Sequence, residues 1–412
     1  MKICHISTGF PISFQGGVTN YVRTLAEYQI TQGHDVYVLS GPDEKTFSFK
    51  VKEYKSLNII PMKWRAPIDK EGLEEIRKFF DANRFDLIHI HMMLDIDWNI
   101  YDILKPYRYI VSLHDYFFIC PRIQMLMHDN KVCTAYEESK CMHCISWFNT
   151  HRITNAIEYK ISHNTPFKNF RLPEIPSNMT KERYARFKKL LENAAFLLPV
   201  SNRVKEIFVN SGIEGNYKVM HIGNVTADKY NPEYYFDETR EKINMAMLGT
   251  LTYLKGVDLF IKIAQKVDQS KVSVHFYGRS SKYAQAIKEA GIIDHGPYKQ
   301  VDLPEILADT DIGMCLSVWE DNGPQVVMEF LNNHIPVIGT RLGGIPDFVE
   351  DGVNGMLFNP FNEKEFNSVV ERINNLERTE LKRLTNNVNR TTTTQEHCTE
   401  MEIVYRKALN IE

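Results

Sequence analysis

The sequence predicts an α/β protein made of two doubly wound domains. Short apolar runs alternate with amphipathic segments along almost the whole chain, the pattern of parallel strands covered by helices on both faces. The runs fall into two series, separated by a polar stretch that contains Pro232. The length, 412 residues, suits two or three domains of roughly 150 residues each.

The first series comprises residues 2–7, 35–40, 86–91, 109–114 and 196–201, each read as a buried strand. Between the first two, Val18, Tyr21, Val22 and Leu25 recur at helical spacing and Gly33 supplies the stop. The second series comprises strands at 245–249, 272–278, 311–317 and 335–340, with helices over 256–267, 281–290 and 324–333. Residues 219–225 read as a strand followed by turn residues, which places the domain boundary near Val225 and gives domains of 1–225 and 226–395. The Thr-, Asn- and Arg-rich stretch 386–400 reads as a loop. After it, Met401, Val404, Tyr405 and Leu409 line one face of a last helix within 396–412. From about 115 to 190 the alternation is broken, too long a break for a simple connection, so it reads as an insertion with a job.

Composition excludes several classes. With 43% hydrophobic and 25% charged residues the chain is ordinary globular material able to fold without staples. A net charge of -3 provides no basic field for non-specific nucleic-acid binding. No apolar run approaches the roughly 18 residues that span a bilayer. Residues 1–7 read as a strand and lack the apolar core of a signal peptide, so a cytoplasmic protein with reduced thiols is expected. Seven cysteines, an odd number, argue against a closed disulfide framework.

Several strand-end segments carry ligand chemistry. Gly16-Gly17-Val18 follows the first strand and opens a helix, where backbone can approach a ligand and the helix start favours an anion; a tight turn explains it equally well. In Val111-Ser112-Leu113-His114-Asp115, His114 ends a buried strand and could bond a sugar hydroxyl, against a purely structural role. His89 and His91 read as structural. In the 249–256 segment, from Gly249 and Thr250 to Lys255-Gly256, a strand ends and Lys255 opens the next helix, where a cation can neutralise a diphosphate. The strongest segment is 319–329. Pro324 suits a helix start, leaving the amides of Gln325 and Val326 to face an anion. Asp321 could hold a sugar hydroxyl, Asn322 and Gly323 complete the loop, and Glu329 could accept both hydroxyls of a ribose. The alternative is a capped surface helix with Asp321 or Asn322 as its cap. Residues 341–347 form a further strand-end loop.

Cys120, Cys133, Cys141 and Cys144 form C-x12-C-x7-C-x2-C within the insertion. Four thiolates suit a closed, structural zinc site; an iron–sulfur cluster uses the same ligands, and four spare thiols are the plain alternative. Residues 181–191 read as a basic amphipathic helix, able to touch anionic lipid or simply to face solvent.

Together these motifs resemble the retaining glycosyltransferases of family 4, which have the GT-B fold. The resemblance rests on Gly16-Gly17-Val18 with Gly33-His34-Asp35-Val36, on His114, on Lys255-Gly256, on Glu329 as the second acid of E-x7-E, and on Gly339-Thr340 with Gly343-Gly344-Ile345-Pro346. It implies two Rossmann-like domains facing a cleft, the acceptor mainly on the first, the nucleotide mainly on the second, and a last helix crossing back to the first. It further implies transfer of a sugar from a UDP- or GDP-linked donor to an acceptor hydroxyl with retention, in polysaccharide, lipopolysaccharide or other glycoconjugate synthesis. No catalytic divalent metal is expected. Lys255, the helix start at Gln325 and Gly17 would stabilise the leaving diphosphate, while His114 and Asp321 position the donor sugar. The acceptor would be a glycan or lipid-linked acceptor, reached at the inner face of the membrane. The sequence departs at two positions: Asp321 stands where the first acid is Glu, with Glu320 one residue out of register, and Thr250 stands where an Arg is common. The same fold also serves a sugar-nucleotide epimerase, glycan phosphorylases or a non-catalytic subunit that binds sugar nucleotide or a partner.

Overall fold

The computed structural model describes residues 1–10, 16–40, 57–61, 70–93, 98–127, 130–144, 177–233 and 236–411. Contacts divide the chain into two compact units. The first takes residues 1–200, 204–220 and 400–412; the second takes 201–203 and 221–399.

The first unit holds a six-stranded sheet of β1 (Lys2–Ser7), β2 (Asp35–Ser40), β3 (Leu57–Pro61), β4 (Leu87–Ile90), β5 (Tyr109–Leu113) and β6 (Leu197–Pro199). Its order is β3-β2-β1-β4-β5-β6 and every pair is parallel. The strands are continuous apolar runs because helices cover both faces. Val22 and Ala26 of the helix Gly17–Thr31 pack on Phe10, Val36 and Val38.

The second unit repeats the plan with β7 (Ile243–Thr250), β8 (Val272–Arg279), β9 (Ile293–Asp294), β10 (Ile312–Cys315), β11 (Val337–Thr340) and β12 (Gly355–Phe358). Its order is β12-β11-β10-β7-β8-β9, again wholly parallel. Read from the other edge, this is the arrangement of the first sheet strand for strand. Helices Val257–Lys266 and Glu363–Asn374 bury Phe260, Ile263, Val369 and Ile373 in one apolar cluster. Helix Gln325–Leu331 buries Val327, Phe330 and Leu331 in another. In each sheet the chain reverses its direction of winding between the first and fourth strands, β1/β4 and β7/β10. Ligands of open parallel sheets bind at the carboxyl ends of such a pair.

Beyond β3, β9, β12 and the helix Lys70–Asn83, which the sequence reading did not include, three details differ from it. Residues 219–225 form no strand; the segment before them meets β6 at a single parallel bridge, Leu197 with Tyr217, and Pro199, which has no N–H to donate, accepts from Met220 N–H (2.9 Å) but cannot extend the pairing. Residues 394–400 are helical, not loop, because the last helix runs from Thr394 to Ala408. Pro324 precedes the helix Gln325–Leu331 as its N-cap instead of opening it. Residues 128–129 and 145–176 of the insertion lie outside the described residues.

Candidate functional site

In the second unit the site begins where β7 and β10 end. Met247–Thr250 and Met314–Ser317 form two walls of a cavity of about 200 Å³, and Lys255, Asp321 and residues 323–326 form the rest. Lys255 is held there by its neighbour Gly256. Gly256 has a φ of +77°, and a Cβ on it would lie 1.8 Å from the Leu316 carbonyl oxygen. Only glycine therefore lets the chain turn tightly enough to bring the lysine over the end of β10. The Lys255 ammonium donates to Asp321 Oδ2 at 2.6 Å and lies 5.9 Å from the Trp319 ring centroid. Burial works against its charge, but the Asp321 carboxylate outweighs that and raises its pKa. Asp321 Oδ2 also accepts from the Ser317 hydroxyl at 2.8 Å.

The neighbouring acid has a different job. Glu320 is fully buried, its carboxylate clamped by Arg203 (Nη2 to Oε1 2.6 Å, Nε to Oε2 3.1 Å) and by the Gly343 amide at 2.8 Å. Gly343, at φ +57°, would place a Cβ 2.1 Å from the Asp321 carbonyl oxygen, so the 343–344 loop is locked against the 320–321 backbone. Glu320 thus braces the loop, and Asp321 is the acid turned into the cavity.

Of the residues picked from the sequence, the cavity brings together Thr250, Lys255, Asp321, Gly323, Gln325 and Val326. Gln325 accepts from Asn224 Nδ2 at 2.9 Å. Asn322 and Glu329 do not line the cavity. The Asn322 side-chain amide and the Trp319 indole N–H are buried without a partner among the described residues. Glu329 sits one turn into the helix beyond Gln325, and burial alone pushes its carboxyl up to about 7. Ser317 and Arg203 were not singled out from the sequence, and Glu320 entered it only as an acid one residue out of register. The strand-end position of Ser317 is the one signal that points to any of them.

In the first unit Gly16 is extended, its amide donating to the Thr19 hydroxyl at 3.0 Å, and Gly17 opens the helix. A Cβ on Gly17 would meet nothing within 4 Å, so nothing in the described fold demands glycine there. His114 follows β5, with Tyr21 edge-on at 5.0 Å and its Nε2 at 3.3 Å from His91 Nδ1. Behind it runs a buried polar chain. His91 Nε2 meets His5 Nδ1 (2.8 Å), His5 Nε2 meets Gln29 Oε1 (2.7 Å), and Gln29 Nε2 donates to the Tyr405 hydroxyl (3.0 Å). Tyr405 in turn meets His89 Nδ1 (2.7 Å), and His89 Nε2 meets Ser112 Oγ (2.8 Å). Burial brings the His5 pKa down to about 4, so that ring is neutral at pH 7. His5, His89 and His91 place ligand atoms within 4.8 Å of one another. At 2.8 Å, however, the His5–His91 nitrogens are closer than the roughly 3.3 Å between two nitrogens on a tetrahedral ion, so the contact is a hydrogen bond.

The four insertion cysteines line one small pocket of the first unit. The basic helix spans Ser177–Glu192, but not all of its charge faces outward. Arg183 is half-buried, donates to the Phe117 and Phe118 carbonyls and stacks on Phe117 and Phe187. Among the described residues no helix is long and apolar enough to cross a membrane.

Two parallel-sheet units of this order define the GT-B architecture. HepE of Anabaena, solved in complex with UDP, superposes with a TM-score of 0.66 at 14% identity, over 98% of this chain and 99% of that one. The family profile described as Glycosyltransferase Family 4 matches residues 15–224, and the one described as Glycosyl transferases group 1 matches 242–375. The chain belongs to glycosyltransferase family 4. An uncharacterized glycosyltransferase of Methanocaldococcus jannaschii is 21% identical over 396 residues, 90% of this chain and 89% of that protein. An uncharacterized 41.2 kDa protein in the cps region of Klebsiella pneumoniae is 25% identical over 171 residues, 41% of this chain. That alignment spans 44% of the Klebsiella protein, less than half its length.

Proposed function

We propose that the protein transfers a sugar, with retention, from a UDP- or GDP-linked donor to a hydroxyl of a glycan or lipid-linked acceptor. The cavity at the carboxyl ends of β7 and β10, with the Lys255 ammonium inside it, carries this reading. An ammonium has three donors. One goes to Asp321, and the others suit a diphosphate whose negative charge grows as the sugar leaves. The Gln325 and Val326 amides at the same wall add donors. The buried Asn322 amide and Trp319 N–H are further donors for ligand oxygen. Glu329, whose carboxyl is pushed up by burial alone, suits two ribose hydroxyls, since each hydroxyl donated to it offsets lost hydration.

In this reading the departing phosphate takes the acceptor proton as the acceptor attacks from the leaving-group face. Asp321 and His114 position the sugar, and Gly16 and Gly17 let backbone approach the donor. The UDP complex of HepE and the cps-region setting of the Klebsiella relative favour a UDP-sugar and glycoconjugate synthesis. UDP or GDP is expected to raise the melting temperature of the wild type and not of Glu329→Ala. A panel of nucleotide sugars, with the product anomer read by NMR, tests transfer and retention together. No shift with any nucleotide would defeat the proposal.

A further inference from the structure

We propose that Cys120, Cys133, Cys141 and Cys144 bind one structural zinc ion. Three separate pieces of chain converge on the site. Cys120 follows the turn after β5, and its sulfur receives the Arg122 and Met125 amides. The Leu126–Val132 bridge and the bond from Met127 N–H to Lys131 O (2.8 Å) bring Cys133 back to Met125, whose carbonyl accepts from the Cys133 amide at 2.7 Å. Cys141 and Cys144, three apart on the helix Glu138–Cys144, share one face. All four line one cavity of about 20 Å³, enough for a single small occupant.

The surroundings supply the charge such an ion needs. Zinc with four thiolates carries a net charge of -2. Arg122 Nη1 lies 3.6 Å from Cys144 Sγ, the half-buried Arg183 guanidinium acts electrostatically on Cys120 and Cys141, and Lys140 on Cys133 and Cys141. Binding replaces four S–H bonds by four Zn–S bonds and releases four protons to solvent. Among the described residues no three of these sulfurs lie within 4.8 Å of one another. A tetrahedral site sets sulfurs about 3.8 Å apart, so the side chains turn inward into their shared cavity when the ion binds. With four protein ligands no position is left for substrate, and the role is to tie the insertion together.

The full chain, purified without added metal, is expected to hold about one zinc per molecule by atomic emission. Titration with p-hydroxymercuribenzoate should release it as four thiols react, and Cys141→Ser with Cys144→Ser should lose it. The mercurial titration uses the wild type, so the test stands if the variant fails to fold. A metal-free protein, an iron content with visible absorbance, or disulfides among these cysteines would overturn the proposal.

A different observation carries a second inference. We infer that Gln29 and Tyr405 are positioning residues that set the tautomer of His114; its bearing on catalysis rests on the sugar-contacting role proposed above. A neutral imidazole donates from one nitrogen and accepts at the other. The chain from His114 through His91 and His5 to Gln29 is therefore directional, and each link fixes the next. With Gln29 Oε1 facing His5, the His5 Nε2–H donates to it, His91 Nε2–H donates to His5, and His114 Nε2–H donates to His91. His114 then keeps an accepting Nδ1. Reversal of the Gln29 amide, with its Oε1 toward Tyr405, reverses every bond and makes that Nδ1 a donor. Nitrogen-15 spectra of histidine-labelled wild type should show His5, His91 and His114 sharing one tautomer, and Tyr405→Phe should move the His114 signals. Mixed tautomers among the three in the wild type, or His114 signals unmoved in the variant, would overturn the inference whether or not donor binding is found.

Discussion

Glu329→Gln should stabilise the protein and weaken nucleotide binding at once. Burial moves the Glu329 carboxyl from 4.5 up to about 7. A raised carboxyl holds its proton more tightly when folded than when unfolded, so the cost to folding is absent well below 4.5, grows as pH rises and is complete above about 7. A shift of roughly 2.5 units at 1.36 kcal/mol each gives a cost of about 3 kcal/mol at pH 8 and about 1 kcal/mol at pH 5. Glutamine keeps the shape and removes the ionisation, so the variant's advantage in urea unfolding should be larger at pH 8 than at pH 5 by about 2 kcal/mol. Saturating UDP should shrink that advantage, because ribose hydroxyls stabilise the carboxylate and draw its pKa back down. An advantage equal at the two pH values, or UDP stabilising both proteins equally, would refute the reasoning.

Other substitutions test the rest of the site. Lys255→Ala should lower kcat by about 100-fold or more in a donor-turnover assay, as loss of one preorganised donor at a developing charge does; unchanged turnover would remove Lys255 from the chemistry. Arg203→Met strands the fully buried Glu320 carboxylate and should cost about 3 kcal/mol in urea unfolding at pH 7. Gly256→Ala forces a Cβ into the Leu316 carbonyl and should cost about 2 kcal/mol or more, while also displacing Lys255 and weakening UDP in calorimetry. Arg279 ends β8 in register with Thr250, at the edge where the resemblance expects an arginine. Arg279→Ala is expected to weaken UDP by about tenfold, the worth of one exposed charge contact; equal affinity would leave Thr250 uncompensated.

The strands legible in the sequence are the ones buried on both faces, such as β1, β5 and β10, whose apolar runs have no other reading. β9 was not legible because it is two exposed residues. The start of the last helix was misread from its threonines, although Thr393 and Glu396 bond reciprocally (3.1 and 2.9 Å) as a T-x-x-E capping box, a pattern present in the sequence. Spacing also found Lys255 and Asp321, since both belong to strand-end loops. Which of two adjacent acids enters the cavity was not legible. That depends on Arg203, 117 residues before Glu320 in the chain, which claims Glu320 and leaves Asp321 for the lysine.

The Tyr405 hydroxyl bonds Gln29 and His89, which lie 376 and 316 positions earlier, on the first helix and the fourth strand. During synthesis, nearly the whole polypeptide must emerge before that phenol can reach Gln29 and His89. Until then the bonds that phenol makes to Gln29 and His89 can only be made with water. A nascent chain stalled short of residue 405 would expose an unfinished lobe to proteases and chaperones.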